Sequence, residues 1–267
     1  VYTASCFSSC GKLFAGLFDM PYHNMMIVGA VFVVLYTVLG GFLAESASDF
    51  MQSIVMICAL VAVLVCGVIY AGGIGNVIEN AKNIPGYLSL NTIANPVVNS
   101  DGVQQASNGA ALFGEAGKYD FITILSTLSW GLGYFGLPQV LLRFMAIRRG
   151  DELKNSRRIA TVWVVISLFA AVLIGIVGRA VFPYDASLAT QSSAENVFAH
   201  LSSLLFHPLF AGIVTAGILA AIISSSDSYL LIAASAVSKN IYEAIIKKDA
   251  TDKQVMHVSR AVLLLIA

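Results

Sequence analysis

Two short stretches carry residues whose types and spacing suit chemistry, and both lie inside apolar runs. The first is Ser224-Ser225-Ser226-Asp227-Ser228, central in the otherwise apolar segment 208–236. Hydroxyls and backbone carbonyls are hard oxygen donors, suited to a small alkali cation. A lone serine in such a segment bonds back to the preceding turn; four serines beside an acid are a different pattern. Asp227 adds a cost of at least ~2.5 kcal/mol on membrane-insertion scales, so it must face a cavity or a partner. The second stretch is Ser129-Trp130-Gly131-Leu132-Gly133-Tyr134-Phe135-Gly136-Leu137-Pro138-Gln139. Its glycines and proline weaken a helix. Trp130, Tyr134 and Pro138, four apart, share a face on helical geometry. An interrupted membrane helix with an aromatic face suits a binding site near the bilayer midplane. A helix–helix packing seam fits the same spacing equally well.

These stretches need elements to hold them, and composition says which. Of 267 residues 58% are hydrophobic and 11% charged, against about 25% charged in soluble domains. Mean hydropathy is +0.82. Runs of twenty apolar residues cross a hydrocarbon core of about 30 Å, which makes this an all-α, polytopic helical membrane protein. Net charge is zero, so nothing electrostatic points to nucleic acid. Cys6, Cys10, Cys58 and Cys66 lack metal or redox spacing and read as small buried hydrophobes.

In chain order, a partial span over 1–18 with a small-residue face precedes a short turn, 19–24. Complete spans follow over 25–44 and 50–71, joined by a tight connection at Glu45–Ser48, and then over 121–142, 159–182 and 208–236. A truncated span closes the chain at 258–267. The polar stretches 72–119 and 183–207 separate these spans, as do the basic ones at 143–158 and 237–257. Six of the 15 Lys and Arg residues lie in 143–158 and five in 236–260, while 73–119 and 183–207 hold only Lys82 and Lys118. The positive-inside rule places the basic loops in the cytoplasm and the polar loops outside. Arg179, near an outer span end, reads as snorkelling. The sequence lacks an initiator Met and opens and closes within apolar runs, so a piece of a longer protein is expected.

The run Ser129 to Gly136, with Pro138 and Arg143-Phe144-Met145-Ala146-Ile147-Arg148 behind it, closely resembles the sodium/solute symporter family, and within it the bacterial sodium/proline symporters. The resemblance covers essentially the whole chain and is strongest at 40–52, 129–148 and 219–242. It implies a leucine-transporter-type fold of two inverted five-helix repeats, of which this chain would be a part. Phe121 to Leu142 would be the broken first helix of the second repeat.

The resemblance further implies that Ser224 and Ser225 lend hydroxyls, and Ala221 a carbonyl, to a transported sodium ion, the other ligands lying upstream of Val1. It places Trp130, Tyr134 and Pro138 in the substrate pocket. There an aromatic face suits a small, partly apolar amino acid, with proline first. Asp49 matches an acid implicated in cation coupling, although Ala47-Ser48 stand where the family commonly has Trp-Thr. From the residues alone, Asp49 reads as an N-terminal acid complementing the dipole of a helix opening at Phe50. Asp227 is a second possible coupling residue.

The expected function is therefore sodium-coupled symport in the cell membrane, with a solute, sodium and the lipid bilayer as partners and no enzymatic activity. Alternatives are another solute, a transporter-like sensor module, or, remotely, an intramembrane aspartyl protease built on Asp49 and Asp227. A protease dyad needs two acids sharing a proton, and neither aspartate sits in a protease motif.

Overall fold

The structure is a computed structural model that describes residues 2–18 and 20–267, without the side chains of Leu17, Ala44 and Phe135. Val1 and Asp19, expected in the first partial span and the following turn, lie outside the described residues. Five helical stretches among the described residues are long and apolar enough to cross a membrane: Tyr22–Leu43, Glu45–Tyr70, Phe121–Met145, Gly150–Val181 and Pro208–Ile246. The chain divides into two compact units, Val1–Met56 with Ala216–Ala267, and Ile57–Thr215.

The first unit contains α1 (Tyr2–Phe18), the start of α2 (Tyr22–Tyr70), most of α9 (Pro208–Ser235) and α10 (Asp252–Ile266). Phe7, Val33, Leu230, Ala234 and Leu263 form its main core, and Cys6, Cys10 and Ile222 a second cluster. Cys6 and Cys10 are thus buried packing residues where α1 meets α9. Cys58 is exposed and Cys66 half-buried, so the expectation of four buried cysteines is corrected for these two. Beyond Ser235 the helix continues in wide π-type turns over Ala236–Ile246, so the basic segment expected as a loop from Val237 is largely helical.

One expectation is corrected in α2. The tight connection at Glu45–Ser48 is helical, and the chain kinks earlier, at Gly41 (φ 61°, ψ −172°). Only glycine adopts that backbone region at little cost. After Gly41 neither glycine nor proline intervenes before Gly67, so the helix resumes at once. Asp49 therefore lies inside a helix, not at its N-terminus, and the dipole reading of this acid falls.

The second unit contains the rest of α2 and α3 (Ile74–Lys82), α4 (Phe121–Gly133), α5 (Pro138–Met145), α6 (Leu153–Val181), α7 (Gln191–Ala194) and α8 (Val197–Leu205). Its core is Ala59, Val63, Ile174, Leu201 and Val214. Both α3 and α8 pack on α6. At the second contact a Cβ on Gly178 would lie 2.4 Å from Val197 Cγ2, so only glycine allows that approach.

The polar stretch 72–119 is not one loop. Besides α3 it holds two antiparallel pairs, β1 (Thr92–Ile93) with β4 (Gly117–Lys118) and β2 (Ala106–Ser107) with β3 (Ala110–Ala111). The turn of the second pair is Asn108-Gly109, both at positive φ, the pairing a two-residue hairpin favours. The N–H groups of Gln104 and Ala111 donate to the carbonyls of Ala189 and Pro183, at 2.8 and 3.0 Å. The two lysine-poor stretches are thereby tied together.

Candidate functional site

In the first unit, α9 runs through the serine cluster without a break. Ser226 and Asp227 are fully buried and Ser228 is 4% exposed. Ser226 does what a membrane serine ordinarily does: its hydroxyl donates to the Ile222 carbonyl at 2.7 Å, one turn back. The hydroxyls of Ser224 and Ser225 form no hydrogen bond among the described residues, and both residues are half-buried, as is Ala221. Within five residues the helix thus holds hydroxyls consumed by the backbone and hydroxyls still available as oxygen donors.

The acids nearby form a linked group. Glu45, 5% exposed, accepts from the Ser228 hydroxyl at 2.6 Å, and the Ser228 N–H donates to Asp227 Oδ1 at 2.7 Å. The Ser228 hydroxyl also lies 2.9 Å from the Ser224 carbonyl. A hydroxyl carries one proton, so it serves these two acceptors in alternation. Asp49 follows Glu45 by four residues, one turn along the same helix. The Ser48 hydroxyl donates to the Glu45 carbonyl at 2.9 Å and is itself bonded by Tyr36 Oη. Buried carboxylates are tolerated where hydrogen bonds meet them, and here Ser228 of α9 meets both, Glu45 of α2 through its hydroxyl and Asp227 through its N–H.

Glu45 is the functional candidate that sequence reasoning missed. Gly40-Gly41 suggested a helix end, which put Glu45 in a connection. The available signal was the four-residue spacing of Glu45 and Asp49, which on an uninterrupted helix places both acids on one face.

In the second unit the helix interruption is real. Asp120 caps α4, its carboxylate accepting from the Thr123 N–H at 3.0 Å. The side-chain and backbone hydrogen bonds of Thr123 hold the Asp120 carboxyl below the usual carboxylate range. The α-helix ends at Gly133, a 3₁₀ turn covers Tyr134–Gly136, Leu137 is extended (φ −71°, ψ 120°), and Pro138 opens α5. Proline at the first helical position needs no N–H partner, so it restarts the helix at no cost. The single helical face expected for Trp130, Tyr134 and Pro138 does not survive, because the extended Leu137 breaks the register before Pro138. Trp130 is 75% and Tyr134 55% exposed, so neither is fixed by packing. A Cβ on Gly131, Gly133 or Gly136 would meet nothing within 4 Å, so among the described residues these glycines serve no packing seam.

The arrangement offers oxygen donors without backbone partners beside a hydrogen-bonded acid pair, and separately an aromatic break in an apolar helix. The model of the sodium:solute symporter family matches residues 1–267. The chain is 35% identical over 269 residues to the sodium/proline symporter of Escherichia coli (strain K12), covering 100% of this chain and 49% of that protein. It is 36% identical to the osmoregulated proline transporter OpuE and 33% to the high-affinity proline transporter PutP, both of Bacillus subtilis (strain 168), over 100% of this chain and 49% and 51% of those proteins. The chain spans about half the length of these relatives. With its helices, its interrupted apolar segment and a match along its whole length, the chain belongs to the sodium:solute symporter family.

Proposed function

We propose that the chain is part of a sodium-coupled symporter of the cell membrane that imports proline by alternating access within a leucine-transporter-type fold. The names of the relatives above support the solute and the coupling ion. The observation that carries the ion site is the split within the serine cluster: Ser226 is back-bonded, whereas Ser224 and Ser225 keep their hydroxyls available, with the Ala221 carbonyl one turn before Ser225. Hydroxyl and carbonyl oxygens suit sodium, which travels as cargo with the solute. Trp130, Tyr134 and Pro138 at the break form the solute-facing set in this reading, exposed apolar surface that a small amino acid would cover. Asp49 and Asp227 are the coupling acids, and Glu45, through Ser228, holds Asp227 in place. Sodium binding orders the serine cluster, solute binding favours closure, and the coupling between the sites is reciprocal.

The test is uptake of labelled proline by the full-length protein in proteoliposomes, with and without an inward sodium gradient. Sodium-dependent uptake, with Ser224→Ala weakening apparent sodium affinity and Trp130→Ala weakening proline affinity, is the expected result. Absence of sodium-dependent uptake of any amino acid sinks the reading.

A further inference from the structure

The second unit contains a cavity lined by none of the residues assigned above to the ion or the solute. It has a volume of about 250 Å³ and lies where the last turns of α6 meet the two lysine-poor stretches. Pockets for drug-sized ligands run from about 300 to 1,000 Å³, so this one suits something smaller.

Its wall brings together one cationic and one anionic group. Arg179, on the last turn of α6, was expected to snorkel towards water. Instead its guanidinium is half-buried and lies over the Phe113 ring, 4.8 Å from the centroid. Among the described residues it has no carboxylate within ion-pair distance. A guanidinium over an aromatic face keeps its in-plane donors for a planar anion. Tyr87, also on the wall, has its phenol pushed up by burial, with Arg179 opposing that shift. It therefore remains a hydroxyl donor beside the guanidinium at neutral pH.

Asp185 supplies the opposite charge. Its Oδ1 accepts from both the N–H and the hydroxyl of Ser187, at 2.8 and 2.6 Å, which leaves Oδ2 for another donor. Those bonds hold the Asp185 carboxyl below the usual range, so it is ionised at neutral pH. The wall also carries apolar side chains, Phe182 and Val197 among them, beside the polar Gln104 and Tyr184. Gly175 also lines it, and a Cβ there would meet nothing within 4 Å.

We propose that this cavity is a second binding site, for a small zwitterionic amino acid, with Arg179 and Tyr87 taking the carboxylate and Asp185 the ammonium. Phe182 and Val197 then cover an aliphatic side chain. Under the transport reading, on which the solute and the outward orientation rest, the site collects amino acid at the outer end of α6 before it reaches the helix break.

The experiment uses the full-length protein in nanodiscs, with other cysteines removed and Ala194→Cys placed on the exposed cavity rim for maleimide labelling. It is run in a Trp130→Ala background, which weakens the proposed central site. Proline should slow labelling, whereas pyrrolidine, which lacks the carboxylate, and tetrahydrofuran-2-carboxylate, which lacks the amine, should not. Arg179→Gln should raise the half-protecting proline concentration at least about tenfold, as expected for losing a charged hydrogen bond. Gly175→Leu, filling the cavity where a side chain finds room, should abolish protection. Protection by glycine or alanine in place of proline keeps the site and changes its preferred side chain. Equal protection by pyrrolidine, protection indifferent to both substitutions, or no protection by any of these amino acids overturns the proposal. Labelling needs no transport, so proline uptake without protection removes only this site, and protection without uptake removes only the transport reading.

Discussion

At the scale of single residues, hydroxyls of identical chemistry differ in what holds them. The Ser226 hydroxyl is buried and bonded to Ile222, so Ser226→Ala should leave the sodium dependence of uptake unchanged. Ser224→Ala removes an oxygen that the backbone does not claim. Loss of one ion–hydroxyl interaction should raise the half-saturating sodium concentration about tenfold, measured as proline uptake against sodium concentration. Equal effects of the two substitutions would falsify the assignment. Glu45 is a structural pin as well as a charge. Glu45→Ala leaves the buried Ser228–Asp227 pair without its α2 partner and should cost about 1–3 kcal/mol. Thermal unfolding of the purified protein checks this, and Glu45→Gln, which still accepts from Ser228, should recover most of the loss.

At the scale of elements, two interruptions shape the chain, and each was legible to a different degree. The break after Gly133 was visible because glycines and a proline crowd within ten residues. Its form was not, since a 3₁₀ turn followed by an extended Leu137 is a choice among several ways to end a helix. Gly41 is less legible for the converse reason: one glycine with φ of 61° kinks a helix without ending it, and the apolar pattern around it does not tell the two apart. Gly41→Ala meets no steric obstacle but forces a side chain into a glycine-only region, which should cost about 1–3 kcal/mol. A lowered unfolding midpoint with a retained helical circular-dichroism signal is expected; an unchanged midpoint would mean the kink needs no glycine. Asp120, outside the span, is a milder case. Its folded pKa is depressed, so its contribution is present above the ordinary carboxylate range and disappears as pH falls through the lowered value. Asp120→Ala should therefore speed amide exchange in the first turn of α4 at neutral pH, and the difference should vanish in strong acid.

At the scale of the whole molecule, the charge asymmetry between stretches makes a topological prediction. Ser100→Cys, on the exposed surface of the lysine-poor stretch, should react with an impermeant maleimide in intact cells, and Asn155→Cys, in the basic stretch, only after permeabilisation. The reverse pattern would invert the orientation and move the Arg179 cavity to the cytoplasmic side. The hydrogen bonds of Gln104 and Ala111 to the stretch 183–190 require only that the two lysine-poor stretches share a side.

The sequence by itself determined the membrane class, the helical content, the family, the serine cluster and the existence of the helix break. Each of these depends on composition, run length or local residue order, which act within a few turns. Tertiary structure decided what happens over long separations. It paired Glu45 with Ser228 across 183 positions and placed Asp49 inside a helix. It also laid Arg179 over the Phe113 ring, and it separated the serines that bond backwards from those that do not. Such pairings depend on which buried polar groups find partners when helices pack, and one-dimensional periodicity records which face a residue occupies but not what it will meet there.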